Sequence, residues 1–579
     1  MLKVVGGASV SDLVIDAAER LPATAIPLIE ATAAPADISL QVLSPPADTV
    51  PMANPMDALF ATHSESSKPS LADDSSDEDL QARVHDLASP CTDYAISGYP
   101  EERKDPFDDV KPAEVVQRRE VMSFGQARFW LMRHLVDDPN TFNCTGGMWL
   151  EGFIDVGRLG RAAEICAQRH EVFRTRFFEE PGRPDRPMQA IMSATRLRFE
   201  DRPVTDKSAA LAGFQELERY LYDLDQGDVA RIVHFHWSST EHLLVIAYHH
   251  IIGDGTSYEI LFNEIASIYA GQRLPAPPQY ADYAIRQRRA YEDGEMSEDI
   301  AYWEAEFNTL PAVLPLLPLA NISTRSKAVS WDYHSGFLRL PPMLAARIKG
   351  RSRKHKADAV HFYLAAFQVL LARLSGSSDI VIGVNDANRQ TLQDLTTVGF
   401  FINLMPVRLA YSTNQTFSES INQARNKVRE ALLHSKVPFD VLLQHLNIPR
   451  ASTHPPLFQA GFDYKQGQAE HGNIGAARMV GIQLSRSRTA NDITLEVMDD
   501  PTRDPQIGIK LQTSLYAEED VQPILQSYLN LLTTFSRNPA LRAEEPRLFA
   551  RSDVDHALQL GKGMPQSHIN FVGDSLTFT

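Results

Sequence analysis

Two adjacent histidines, His249 and His250, close the apolar run HLLVIAYHH (242–250), and the loop IIGDG then brings Asp254 and Gly255 to the start of a helix-like stretch. A histidine at a strand end exchanges protons near neutral pH, because its ordinary pKa is ~6.5. Successive strand residues face opposite sides of a sheet, so one histidine is expected to face a cleft while its neighbour is buried and hydrogen-bonded. Asp254, ionised and partly buried, requires an arginine or backbone N–H groups. Gly255 permits close backbone approach, and an N–H at a helix N-terminus suits developing negative charge. The competing reading is a pair of packing histidines beside an ordinary helix cap. Adjacent histidines do not readily converge on one ion and no third ligand is spaced to help, so no metal is expected here.

The flanking sequence must position these groups. VARIVHFHW (229–237) and HLLVIAYHH, joined by SSTE, predict a β-hairpin. TSYEILFNEIASIYAG predicts a helix, with Thr256 and Glu259 at capping-box spacing and Gly271 at its far end. Further on, DAVHFYLAAFQVLLARLSG (358–376) predicts an apolar helix ending at a glycine, and DIVIGV (379–384) and VGFFINLMPVRL (398–409) predict strands. TFSESINQARNKVREALLHS predicts a surface helix capped by Thr416 and Glu419. The proline-rich LPAVLPLLPLANISTRSK (310–327) is the expected crossover between two α/β lobes.

A chain of 579 residues, 43 % of them hydrophobic, can bury a large core in more than one domain. Its net charge of −18 speaks against a nucleic-acid partner. Part of that excess is local to LADDSSDEDL (71–80), a solvated segment inside residues 35–117, whose Pro, Ser, Ala and Asp content predicts a disordered linker. Before it, SVSDLVIDAAERL predicts one short amphipathic helix. Three cysteines, Cys91, Cys144 and Cys166, have no C-x-x-C spacing and read as reduced thiols of a cytoplasmic protein. No apolar run approaches the roughly 18 residues of a membrane span, so no membrane association is expected.

HHIIGDGTS resembles the H-H-x-x-x-D-G-x-S signature of condensation domains from nonribosomal peptide synthetases. Other family motifs follow in family order: SFGQARFWLM (123–132), RHEVFRTRF (169–177), QYADYAIRQ (279–287), VGFFINLMPVR (398–408) and HSKVPFDVLL (434–443). Gly125 stands where alanine is usual, and Gln287 near where tryptophan is usual. SSDIVIGVNDANR (377–389) and HPPLFQAGFDYKQGQ (454–468) resemble in particular the condensation domains of fungal polyketide–peptide hybrid synthases. The resemblance covers about residues 118–560.

It implies two chloramphenicol-acetyltransferase-like lobes forming a V around a tunnel, 118–310 and 311–550, preceded by the linker 35–117. Residues 1–34 resemble the last helix of an acyl carrier protein, and 551–579 form a tail, as in a free-standing or truncated domain. The implied reaction joins a polyketide acyl thioester, carried on the phosphopantetheine of a carrier protein or polyketide synthase acting in trans, to an amine or amino-acid acceptor. Ester formation with an alcohol, or an idle docking module, are the alternatives. No cofactor of the chain's own is expected. His250 carries over as the catalytic residue, as base or as orienting group, with Gly255 as oxyanion donor. Asp254 is expected to pair with Arg389, alternatively Arg174, and His249 to support from the core. Ser257, Asn403 and Asp463 are candidate tunnel-lining residues. Heterocycle-forming relatives carry aspartates in place of the signature histidines, so that activity is not expected. Arg118, Arg119, Arg286, Arg288 and Arg289 are candidate contacts to an acidic carrier face.

Overall fold

The computed structural model describes residues 115–549 apart from 135, 181, 328–330, 450, 467–472, 486–487 and 501–502. The expected carrier-like helix, most of the linker and the tail lie outside the described residues. The first strand, β1, begins at Val116, two positions ahead of the expected lobe start.

The first half is built on a five-stranded sheet in the order β12-β2-β7-β6-β5. Its strands are β2 (Asn143–Glu151), β5 (Phe199–Pro203), β6 (Ala230–His236), β7 (Glu241–His249) and β12 (Arg478–Leu484). The hairpin expected from the two runs joined by SSTE is β6–β7, antiparallel, with Ala230 opposite Tyr248. Period-two alternation explains how β7 is buried on both faces. Leu244, Ile246 and Tyr248 pack against helices α1 (Phe124–Met132), α2 (Val156–Arg169) and α4 (Gly255–Tyr269). Leu243, Val245 and Ala247 pack against Ala210, Phe214 and Leu217 of helix α3 (Lys207–Glu218). A three-stranded sheet, β1 (Val116–Val121), β4 (Arg183–Met192) and β3 (Thr175–Glu180), stands beside it, as does helix α5 (Tyr280–Glu292).

The second half has a six-stranded sheet in the order β10-β9-β11-β13-β14-β8. These strands are β8 (Tyr333–Arg339), β9 (Asp379–Asp386), β10 (Asn403–Ala410), β11 (Ala460–Lys465), β13 (Ile493–Met498) and β14 (Gln506–Gln512). The apolar helix predicted at 358–376 is α8 (Ala359–Ser375), following α6 (Ser297–Glu306) and α7 (Pro342–Lys354). Asp358 caps its start, and Gly376 ends it in the left-handed region at φ 71°. Every residue from Ala359 to Ala372 is buried. After the short α9 (Leu392–Thr396), helix α10 (Phe417–Leu433) starts with the Thr416–Glu419 capping box read from the sequence. Helices α11 (Phe439–His445) and α12 (Val521–Arg537) complete the set.

The halves are not partitioned by a single cut at 310/311. The connector is pinned to the second half, with Arg325 paired to Asp492 and the Leu314 N–H donating to Gln459 at 2.7 Å. Two second-half segments then return to the first. β12 pairs antiparallel with β2, its edge broken by a bulge at Met479/Gly481. Val398, Phe400, Phe401 and Ile402 are buried in the first-half core, so the strand expected over 398–409 begins only at Asn403. No single helix among the described residues is long and apolar enough to cross a membrane.

An isolated chain of residues 115–310 would expose the β2 edge and lack the four apolar side chains supplied from 398–402. We expect residues 115–549 together to show near-ultraviolet circular dichroism and cooperative melting and the short chain to show neither; a cooperative transition in the short chain would contradict this reading.

Candidate functional site

β7 ends at His249, and the chain turns at once into a one-turn 3₁₀ helix, His250–Ile252. His250 has therefore left the strand, and alternation no longer separates the two histidines. Both rings pack on Phe129 of α1, His250 stacked at 5.2 Å between centroids and His249 edge-on at 6.2 Å. This corrects the expectation of opposite faces, and its cause is the strand ending one residue early.

His249 is buried, with Phe142 and Tyr222 at its ring edges. Its Nδ1 accepts the Ile251 N–H at 3.1 Å. Desolvation, followed by the charges of His250 and Arg133, pushes its pKa down to about 3, so it is neutral under working conditions. His250 is anchored through its backbone N–H to the Phe142 carbonyl at 2.9 Å. Its Nδ1 lies 2.7 Å from the Gly253 carbonyl oxygen. A carbonyl only accepts, so in the neutral ring Nδ1 carries the proton and the lone pair resides on Nε2. Phe400, from the second half, meets the same ring edge-on at 5.0 Å.

Asp254 is the N-cap of α4, a role the sequence assigned to Thr256 with Glu259. Its Oδ1 accepts the Ser257 N–H at 3.0 Å, the Ser257 hydroxyl at 2.9 Å and Arg389 Nη2 at 2.7 Å. Its Oδ2 accepts the Phe401 N–H at 3.1 Å. Both ion-pair side chains are at most 2 % exposed. Arg389 also donates to the carbonyls of Asp394, Thr397 and Gly399, and lies 4.2 Å over the Phe401 ring. Arg174, the other partner considered, binds Gln117 and the Met192 carbonyl instead, both at 2.6 Å. Gly255 opens α4, where first-turn N–H groups have no intrahelical acceptor.

The expected lining residues divide. Ser257 is fully buried; its hydroxyl accepts the Gly399 N–H at 3.0 Å and shares its proton between Asp254 and the Gly399 carbonyl. It therefore belongs to the inter-lobe latch rather than to a tunnel wall. Asn403 holds the turn of the 434–443 motif through Ser435, Val437 and Phe439 at 2.7–3.0 Å. It also borders a narrow cleft, about 280 Å³ of empty space partly continuous with solvent, with Ser123, Arg128, Tyr283 and Phe400. Neither histidine lines that cleft; Phe400 borders it and also meets His250. Asp463 lies buried within the second sheet, 2.5 Å from Asn385 Nδ2.

Several contributors escaped the sequence reading. Phe129 and Phe400 both pack on His250 and on each other, and Tyr280 holds Phe400 through its carbonyl while meeting Ser123 Oγ at 2.9 Å. A side chain at Gly399 would collide with the Tyr280 ring. The signal was present, since all five residues fall in motifs already noted, but a motif does not reveal which of its aromatics touches which.

The candidate docking arginines are largely spent internally. Arg118 pairs with Glu171 and Asp282 at 2.5 and 2.7 Å, Arg286 pairs with Asp394 at 2.8 Å, and Arg288 lies 3.8 Å over Phe124. Arg119 and Arg289 remain exposed. The ligand atoms of Cys166, His170 and Glu264 lie within 4.8 Å of one another. However, Glu264 Oε2 takes Arg169 at 2.9 Å and His170 at 3.1 Å, and burial pushes the Cys166 thiol well up. A guanidinium on the carboxylate opposes a divalent cation, so this cluster reads as an ion-pair node fixing the RHEVFRTRF motif.

With the geometry in place, the chain can be set beside known proteins. Residues 116–555 match the family model of the condensation domain. The compactin nonaketide synthase polyketide synthase component of Penicillium citrinum is 40 % identical over 565 residues, covering 94 % of this chain and 18 % of that protein. A polyketide synthase-nonribosomal peptide synthetase of Aspergillus clavatus is 37 % identical over 455 residues, covering 78 % of this chain and 11 % of that protein. The chain thus spans less than a fifth of the length of these curated relatives. Among solved structures, the condensation domain of the monacolin K polyketide synthase MokA is 41 % identical, with a TM-score of 0.70 over 74 % of this chain and 99 % of that one. The X-domain from teicoplanin biosynthesis shares the fold at 24 % identity and a TM-score of 0.66, over 75 % of this chain and all of that one.

Two outcomes follow from the electrostatics. Asp254→Ala or Arg389→Ala leaves a buried charge uncompensated, so each should cost about 3–5 kcal/mol of stability and lower the melting temperature; unchanged melting in both would refute the latch. For His249, the folded pKa lies near 3 against an ordinary 6.5, so the unfolded chain binds the proton first on acidification. The stability it contributes is complete above pH 6.5 and is lost as pH falls toward 3. Urea unfolding of His249→Asn, whose amide oxygen can replace Nδ1, should show a shallower acid loss than wild type.

Proposed function

The chain belongs to the condensation-domain family, and on that premise we propose that it joins a polyketide acyl thioester to an amine, forming an amide. The donor arrives on the phosphopantetheine arm of a polyketide synthase carrier. The amine nitrogen attacks the thioester carbonyl, the C–N bond forms, the C–S bond breaks, and the thiol leaves with a proton lost by the amine. The observation that carries this reading is the 2.7 Å contact between His250 Nδ1 and the Gly253 carbonyl. Nδ1–H held on Gly253 leaves the basic lone pair on Nε2, the state needed to take or orient a nucleophile's proton. Phe129 and Phe400 fix the ring plane and keep its surroundings apolar, which strengthens electrostatic effects at the reacting atoms. Gly255, at the head of α4, is the proposed donor to the oxyanion. The latch of Asp254, Ser257 and Arg389 acts as positioning machinery and touches no substrate in this scheme.

The similarity to polyketide synthase components supports a polyketide donor, and exposed Arg119 and Arg289 are the proposed remaining contacts for an acidic carrier. The test supplies purified protein with a synthetic acyl thioester, either on a carrier protein or on free pantetheine, together with a panel of amines and alcohols. Products are identified by mass spectrometry. His250→Ala should lower the rate roughly 10²–10⁴-fold while melting cooperatively. Near-wild-type turnover in that folded variant would remove His250 from the mechanism, and equal rates from carrier and pantetheine donors at every salt concentration would remove the carrier.

A further inference from the structure

A second group of histidines gathers at the end of β7 remote from the signature loop. His242 faces His236 directly across the β6–β7 ladder, and His234 lies two residues back, on the same face of β6. On the edge strand β5, Asp201 stands opposite His234 in parallel register. The three imidazole rings have centroids 5.1, 5.4 and 6.4 Å apart. His234 and His242 are buried, whereas the side chains of His236 and Asp201 keep 28 % and 37 % of their surface exposed.

The polar contacts run in a line across the sheet. Asp201 Oδ1 lies 2.8 Å from His234 Nδ1, His234 Nε2 lies 3.2 Å from His242 Nδ1, and His242 Nε2 lies 3.0 Å from the Gly152 carbonyl oxygen. A carboxylate and a carbonyl both only accept, so the line has an acceptor at each end. Two neutral imidazoles bring two protons to three links, and one link is left without a proton. Burial is the largest influence on His234 and pushes its pKa down to about 4, so at neutral pH no third proton completes the line. The Gly152 carbonyl places the His242 proton on Nε2, and His242 Nδ1 then accepts the His234 Nε2–H. The link without a proton is therefore the one at Asp201. There a buried imidazole lone pair faces a carboxylate oxygen, and two acceptors aimed at each other so closely call for a cation between them.

We infer that this gap is a metal site: His234 Nδ1, the Asp201 carboxylate and His236 Nε2 hold one divalent ion of the zinc class at the edge of the first-half sheet. His236 Nε2 already lies 3.5 Å from Asp201 Oδ2, on the solvent side where an ion enters. Imidazole nitrogens with a carboxylate oxygen suit zinc, and three protein ligands leave its fourth position to water. His242 and Gly152 supply the outer hydrogen bonds that fix the tautomer of a ligating histidine. Among the described residues the ion-pair partners of Asp201 are the two histidines alone, unlike Glu264, which already carries Arg169. Tetrahedral ligand atoms around zinc stand about 3.4 Å apart, so Asp201 has to draw back by about half an ångström. A partly exposed side chain on an edge strand can do so. The bound ion ties β5, which ends the sheet, to β6. This inference is independent of the condensation reading.

The test uses the full chain, stripped of metal by a chelator, with zinc chloride alone as the probe near neutral pH. Calorimetric titration should show one tight equivalent, and zinc should raise the melting temperature. Asp201→Asn, whose amide N–H can supply the missing proton, should weaken that equivalent roughly tenfold or more while melting cooperatively. His236→Ala changes a partly exposed side chain and should weaken it to a similar degree. Cobalt(II) in place of zinc should give visible d–d bands without a thiolate charge-transfer band in the near ultraviolet. No uptake by wild type, or undiminished uptake by both variants, would overturn the inference. So would a thiolate band, or loss of uptake in Glu264→Gln but not in Asp201→Asn, since either places the ion elsewhere.

Discussion

The ion pair between Asp254 and Arg389 joins residues 135 apart in sequence, and nearly every element of the site meets at it. Taking two charges out of water is costly, and mutual attraction seldom repays that cost alone. Here the carboxylate receives further donors from Ser257 and Phe401, and the guanidinium reaches three carbonyls, so neither charge depends on its partner alone. Such a node contributes geometry more than net stability. It fixes the N-terminus of α4 against the segment 394–401, and with them the distance between the head of that helix and the ring of Phe400.

The apolar half of the site follows from that constraint. Once 398–402 is drawn into the first-half core, Phe400 can close on both His250 and Phe129, the three rings forming a mutual cluster with centroids 4.7–5.2 Å apart. Gly399 is needed where this crossing segment passes the Tyr280 ring, because any side chain would collide there. Tyr280 in turn bonds the Phe400 carbonyl, so the aromatic clamp is held by hydrogen bonds rather than by packing alone. Polar latch and apolar clamp are two sides of the same five residues, which is why neither histidine needs a carboxylate to orient it.

Much of this was legible in the sequence where local physics decides. Two apolar runs joined by the polar SSTE marked the β6–β7 hairpin, and glycine and capping residues marked α8 and α10, because those signals are written in adjacent residues. The pairing of Asp254 with Arg389 came from family resemblance; no spacing rule links positions that far apart. β12 was not legible: seven residues of mixed exposure, interrupted by a bulge at a glycine, carry no clear period. The strand expected from 398 starts late because VGFFI is apolar enough for a strand yet is claimed by the other half's core. Ser257 was assigned to a tunnel wall because a serine beside a signature loop can face either way, and only the position of Gly399 decides.

The capping assignment at α4 shows how one local choice redistributes chemistry. Thr256 with Glu259 and Asp254 with Ser257 are both three-residue capping pairs, and spacing cannot rank them. The ion pair ranks them. Arg389 holds the Asp254 carboxylate where it can accept the Ser257 N–H, which starts the helix two residues earlier than Thr256 would. Glu259 is then displaced from the cap into the second turn, its carboxyl released from backbone duty. The interaction that locks the two halves together is thus also the one that sets where α4 begins.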